Sequence, residues 1–221
     1  MSDVHDGSIW SRARVEALSD AVFAIAMTLM VLELKVPELP RDASARELLH
    51  ELRALAPRFG VYFLTFMWSG LFWVWQHRAF HELKRINAAL FGINLVFLSF
   101  VSLLPFSLGI IAAFSFRNPV AIACYLVNLL ALGLTLNVFW MYAQRRGLRG
   151  PAADPAKVRR YRIMLAGQPI AGAIALVTLA VYPSMAVNMF AIVMVLFAVI
   201  ARKQANAVRL RAAAASASSS L

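Results

Sequence analysis

The stretch from Ile86 to Ala113 reads INAALFGINLVFLSFVSLLPFSLGIIAA, 28 residues without one charged side chain. About 20 apolar residues suffice to cross the hydrocarbon core of a bilayer as a helix, so this run is long enough to span with some tilt. Pro105 lies inside it. Proline removes a helix hydrogen bond and clashes with the preceding turn, which predicts a kink or an early exit at that point. Five further apolar runs flank it, at 17–36, 57–79, 119–143, 163–182 and 184–201. A lipid-exposed sheet must close into a barrel of short alternating segments, and these continuous runs do not alternate, so all six read as helices.

Composition agrees. The 221 residues are 61% apolar and 15% charged, against roughly 45–50% and about 25% in soluble domains. The chain therefore reads as an all-α protein of one membrane domain, in contact with the lipid bilayer. Residues 1–16 form the leading segment, 17–203 the membrane domain and 204–221 a tail expected to be disordered, its last ten residues being low-complexity Ala and Ser with a terminal Leu. Met1–Arg14 is too polar for a signal peptide, so the first run is expected to be retained.

The net charge of +11 would suit a nucleic-acid binder if the basic residues were clustered on one surface. They lie between the apolar runs instead. Sixteen of the 22 Lys and Arg fall on one side of the bilayer, and the five in the first loop are matched by Glu33, Glu38, Asp42, Glu47 and Glu51. The positive-inside rule then puts both termini in the cytoplasm and leaves nucleic acid without a role. Within that first loop, Leu48, Leu49, Leu52 and Leu55 recur at helical spacing beside charges, which predicts a short amphipathic surface helix. Tyr182-Pro183-Ser184 predicts a tight hairpin between the last two runs.

Polar groups inside apolar runs are costly, and the first run holds the most: Arg14, Glu16, Ser19 and Asp20 precede Ile25, Thr28, Leu29, Leu32 and Glu33. Ser19 and Asp20 read either as wetted helix-start residues or as groups a turn inside the helix that need a partner from another helix. Arg14 and Asp20 are six apart, about 120° around one helix, and pair poorly. His77 ends the second run at a matching depth, and Asn94 sits near the same end of the third. Ser19, Asp20, His77 and Asn94 are therefore a candidate cluster, with an interfacial aromatic belt as the other reading of His77 and its tryptophans. Ile25, Leu29 and Leu32 share one face, Thr28 flanks it, and Asp20 points roughly opposite, toward the bundle. Periodicity by itself makes that stripe a lipid-facing or packing surface. His5, His50, His77 and His81 are too scattered in sequence to suggest a metal site, and Cys124 has no ligand at useful spacing. No protease or hydrolase motif and no paired carboxylates occur in the runs, so no catalysis is expected. Read alone, Asp20 and His77 also suit a secondary transporter or proton-coupled exporter, though no paired broken helices support it.

Arg14, then three residues, then Leu18-Ser19-Asp20 resembles the Arg-x-x-x-Phe-Ser-Asp motif of the TMEM175 family of potassium channels, with Leu in place of Phe. The resemblance extends at lower specificity to the six-helix count and to the Trp and His ending the second run. It implies a homotetramer of six-helix subunits in which the first helices line a central pore without a TVGYG filter. By position, it implies a hydrophobic constriction at Ile25, Leu29 and Leu32 and a selectivity threonine at Thr28. Arg14, Ser19, Asp20, His77 and Asn94 become a structural network holding the pore helix. The permeating ion implied is potassium, with no cofactor, and the place implied is the bacterial plasma membrane.

Overall fold

The computed structural model describes residues 11–114, 118–150 and 155–218. Eight α-helices are present among them: α1 Arg12–Leu29, α2 Ala45–Ala54, α3 Ala56–His81, α4 Ala88–Ser102, α5 Leu104–Phe114, α6 Pro119–Arg145, α7 Pro155–Val181 and α8 Ala186–Ser218. A 3-10 turn, Met30–Glu33, extends α1, and another, Pro183–Met185, makes the tight hairpin between α7 and α8.

Five segments are long and apolar enough to cross a membrane: Arg12–Glu33, α4 and α5 together, α6, Val158–Val181 and Pro183–Ala207. The run at 57–79 lies within α3, whose 26 residues would extend about 39 Å at 1.5 Å per residue. It is the least apolar of the six because Tyr62, Thr65, Ser69, Gln76 and three tryptophans interrupt it. Five of those polar or amphipathic residues, Thr65, Trp68, Ser69, Trp75 and Gln76, are buried against other helices.

Pro105 acts as its chemistry demands. The helix breaks at Leu103, between α4 and α5, and the two halves run on as one bent segment. Pro169 lies inside α7 without ending it. A proline there has no N–H to offer the carbonyl of Leu165, four residues back, and Asn137 of α6 supplies the missing donor: its Nδ2 bonds Leu165 O at 2.7 Å and its own Gly133 O at 2.7 Å. The α6–α7 approach depends on Gly133, where a Cβ would lie 2.9 Å from Gln168 Cβ.

Aromatic rings fill the core where α1, α3 and α4 meet. Phe23 and Phe97 centroids are 6.0 Å apart, Phe72 and Phe97 6.5 Å, and Phe72 and Trp75 meet edge-to-face at 5.5 Å. Outward positions are apolar as well: Phe63, Met67, Val177 and Val195 are all more than half exposed. That inversion of the soluble pattern is what a lipid solvent permits.

The loop helix forms as expected. Ser44 caps α2 in a capping box with Glu47, its backbone N–H and hydroxyl both donating to the Glu47 carboxylate at 2.7 and 2.8 Å. Two departures from the sequence reading concern ends. The first helix starts at Arg12 and not at residue 17, and the tail from 204, expected to be disordered, continues α8 as far as Ser218. Alanine has the highest helix propensity of any residue, and an Ala-rich extension of an existing helix needs no new nucleation.

Candidate functional site

Helix α1 has two unlike faces. Val15, Ser19, Phe23, Ala26 and Met30 are buried against α3, α4 and α5. The other side carries Ile25, Thr28, Leu29 and Leu32, exposed on the chain, with Ile25 at 59% and Leu32 at 68%. Thr28 returns its hydroxyl to its own helix, donating to Ala24 O at 3.0 Å and Ile25 O at 2.8 Å. Its lone pairs stay free on the open face.

The buried face is locked by a polar knot. Ser19 Oγ donates to Val15 O at 2.9 Å and accepts from Asn94 Nδ2 at 3.1 Å and Gln76 Nε2 at 3.4 Å. Gln76 Nε2 also donates to Asn94 Oδ1 at 2.6 Å. The Ser19 hydroxyl thus uses its one donor and both acceptor positions, and the three residues bind α1, α3 and α4 to one another. All three are at most 2% exposed, so each depends on the others for hydrogen bonds.

The remaining members of the expected cluster separate from this knot. Asp20 is exposed and lies on the flank of α1, one residue or 100° from Ser19, where it accepts from Trp73 Nε1 at 2.7 Å. It does not point into the bundle, because Ser19 occupies that direction. His77 joins neither Ser19 nor Asp20: its Nδ1 lies 2.9 Å from Glu16 Oε1, and its ring stacks on Trp73 at 5.4 Å. Arg14 is exposed and makes no side-chain bond among the described residues. Arg12, two residues earlier, turns toward the bundle instead, reaching Leu83 O at 3.2 Å and Glu16 at 3.7 Å.

Gln76, Glu16 and Trp73 are the residues that sequence reasoning passed over. Gln76 was visible through periodicity, since it continues the buried series Thr65, Ser69 and Phe72 of α3 at helical spacing, whereas His77 falls one step off it.

Beyond the knot, the α3–α4 link and the α6–α7 link are clipped together. Lys84 N donates to Leu148 O at 2.9 Å and Gly150 N to Glu82 O at 2.8 Å, while Arg149 pairs with Glu82 at 3.2 Å and lies 4.1 Å over the Trp140 ring. Gly147, at φ 61°, supplies the left-handed turn that closes the clip.

The family model described as endosomal/lysosomal potassium channel TMEM175 matches residues 14–105, the segment that holds the whole knot and the open stripe. A potassium channel of Streptomyces collinus is 34% identical over 75% of this chain and 82% of its own length. The chain belongs to the TMEM175 family. A crystal structure titled as a lysosomal potassium-selective channel TMEM175 homolog, from Chamaesiphon minutus, superposes with a TM-score of 0.70 at 27% identity, covering 86% of this chain and 97% of that one. The human relative, named an endosomal/lysosomal proton channel, is 34% identical over 55% of this chain, which spans 26% of the human protein. The TMEM175 relatives are named as channels and none as an enzyme, in keeping with the lack of catalytic motifs. The fold is therefore that of an all-helical membrane protein of this family.

Proposed function

We propose that the protein is a potassium-permeable channel that conducts passively, as a homotetramer whose four α1 helices line the pore. The observation that carries the reading is the asymmetry of α1: one face is fastened to α3 and α4 through Ser19, Gln76 and Asn94, and the face bearing Ile25, Thr28, Leu29 and Leu32 is exposed among the described residues. The names of the bacterial relatives support potassium as the permeant ion.

In this reading α3 is the sixth span, with Thr65, Trp68, Ser69, Trp75 and Gln76 covered by neighbouring helices, and the basic excess holds both termini in the cytoplasm at the plasma membrane. Four copies of Ile25 form the narrowest apolar ring, with Leu29 and Leu32 one and two turns farther along, and the ring gates by dewetting. The Thr28 lone pairs replace part of the hydration shell of a passing ion. Ser19, Asn94 and Gln76 keep the stripe aimed at the axis, and Asp20 with Trp73 braces the flank. None of them touches the ion.

The test is ion flux from liposomes holding purified protein. Potassium efflux that follows its electrochemical gradient, exceeds sodium efflux and needs no proton gradient is the expected result. Flux that appears only with an imposed proton gradient would replace the channel with an exporter.

A further inference from the structure

Glu16 on the first full turn of α1 and the pair His77 and His81 on the last turns of α3 meet at one point. Each offers one ligand atom, and these atoms lie within 4.8 Å of one another. His77 and His81 are four apart, so their rings project from one face of α3, and their centroids are 4.8 Å apart. Glu16 Oε1 is 2.9 Å from His77 Nδ1. Its second oxygen faces Arg12 at 3.7 Å, which leaves Oε1 as the metal-facing atom.

We propose that Glu16, His77 and His81 form a divalent transition-metal site of the zinc class that staples the start of α1 to the end of α3. Two imidazoles and one carboxylate are a ligand set that suits zinc, with a fourth position open to water. Ligand atoms around a tetrahedral zinc with bonds of about 2.0–2.2 Å lie roughly 3.3–3.5 Å apart, so the widest separation closes by about 1.4 Å and the 2.9 Å Glu16–His77 pair opens by about 0.5 Å to admit the ion. His81 is exposed at the helix end and is free to make that movement. Trp73, stacked on His77, fixes the orientation of the inner imidazole. Arg12 is the opposing charge: it neutralises part of the Glu16 carboxylate and keeps the site from being a high-affinity trap. The site is independent of whether the chain conducts, since it needs only the α1–α3 contact.

Zinc chloride titrated into the purified full-length protein, freed of metal by chelator, tests the proposal by calorimetry. One zinc per chain at micromolar affinity is expected, with at least a ~10-fold loss in each of Glu16→Gln, His77→Gln and His81→Gln. The double variant His5→Gln/His50→Gln removes the other two histidines and retains wild-type binding. Zinc also raises the unfolding temperature of wild-type protein by ~2 °C or more and leaves that of His81→Gln unchanged, His81 being the exposed ligand whose loss does not disturb packing. No binding at 100 µM zinc, or a His81→Gln variant that binds and is stabilised like wild type, overturns the site.

Discussion

At the scale of single residues, the polar knot sets how firmly α1 is held. Asn94→Leu removes one donor and one acceptor from a buried triad and leaves Ser19 and Gln76 to satisfy each other through their 3.4 Å contact alone. Interhelical hydrogen bonds within membranes average about 0.6 kcal/mol in double-mutant cycles. Two lost bonds plus partial desolvation therefore destabilise by about 1–2 kcal/mol. A fall in unfolding temperature of roughly 3–8 °C in detergent is the expected reading. Asp20→Asn keeps an oxygen for Trp73 Nε1 and shifts that temperature far less. The cluster was only half legible from sequence. Ser19 and Asn94 announce themselves as polar letters in apolar runs. Which of the adjacent pairs Ser19/Asp20 and Gln76/His77 faces inward depends on helix phase, and one residue is 100° of rotation. Long side chains such as Arg12 and Glu16 then choose partners across helices that no sequence spacing encodes.

At the scale of elements, proline positions were readable and their compensation was not. Pro105 predicts the bend at Leu103. Pro169 sits inside α7 without breaking it, because Asn137 on a different helix supplies the lost donor. Asn137→Leu should destabilise by about 1–2 kcal/mol, the cost of a carbonyl left unpaired away from water. Adding Pro169→Ala gives Leu165 O an intrahelical donor again, so the double variant recovers most of that loss, and thermal unfolding of the four proteins closes the cycle. Helix α2 answers to acid. The Ser44 backbone N–H, and then its hydroxyl, hold the Glu47 carboxyl below the ordinary glutamate range. A lowered folded value means the cap is fully present above the unfolded value and is lost as pH falls through the folded one. Amide exchange in Ala45–Ala54, corrected for intrinsic rates, should accelerate as pH drops from about 5 to about 3, and Glu47→Gln should flatten that dependence.

At the scale of the whole molecule, the all-helical membrane class follows from apolar length, because lipid forces every backbone group to pair within its own segment. Assembly is not written that way. The stripe of α1 is apolar whether it meets lipid or a pore, and only family membership and the one-sided fastening of α1 separate the two. A homotetramer predicts a native mass four times the 24.4 kDa of one chain in mild detergent. A species of one chain alone that still conducts would remove α1 from a shared axis.

Whether α1 lines a pore is decided most directly by potassium flux through Ile25→Asn beside wild type, at matched protein density in liposomes. An amide in place of each Ile25 side chain wets the ring, and flux is expected to rise several-fold with the gradient dependence unchanged. Flux equal to wild type in a well-assembled Ile25→Asn variant would contradict a pore-lining α1, and would return the stripe to the lipid.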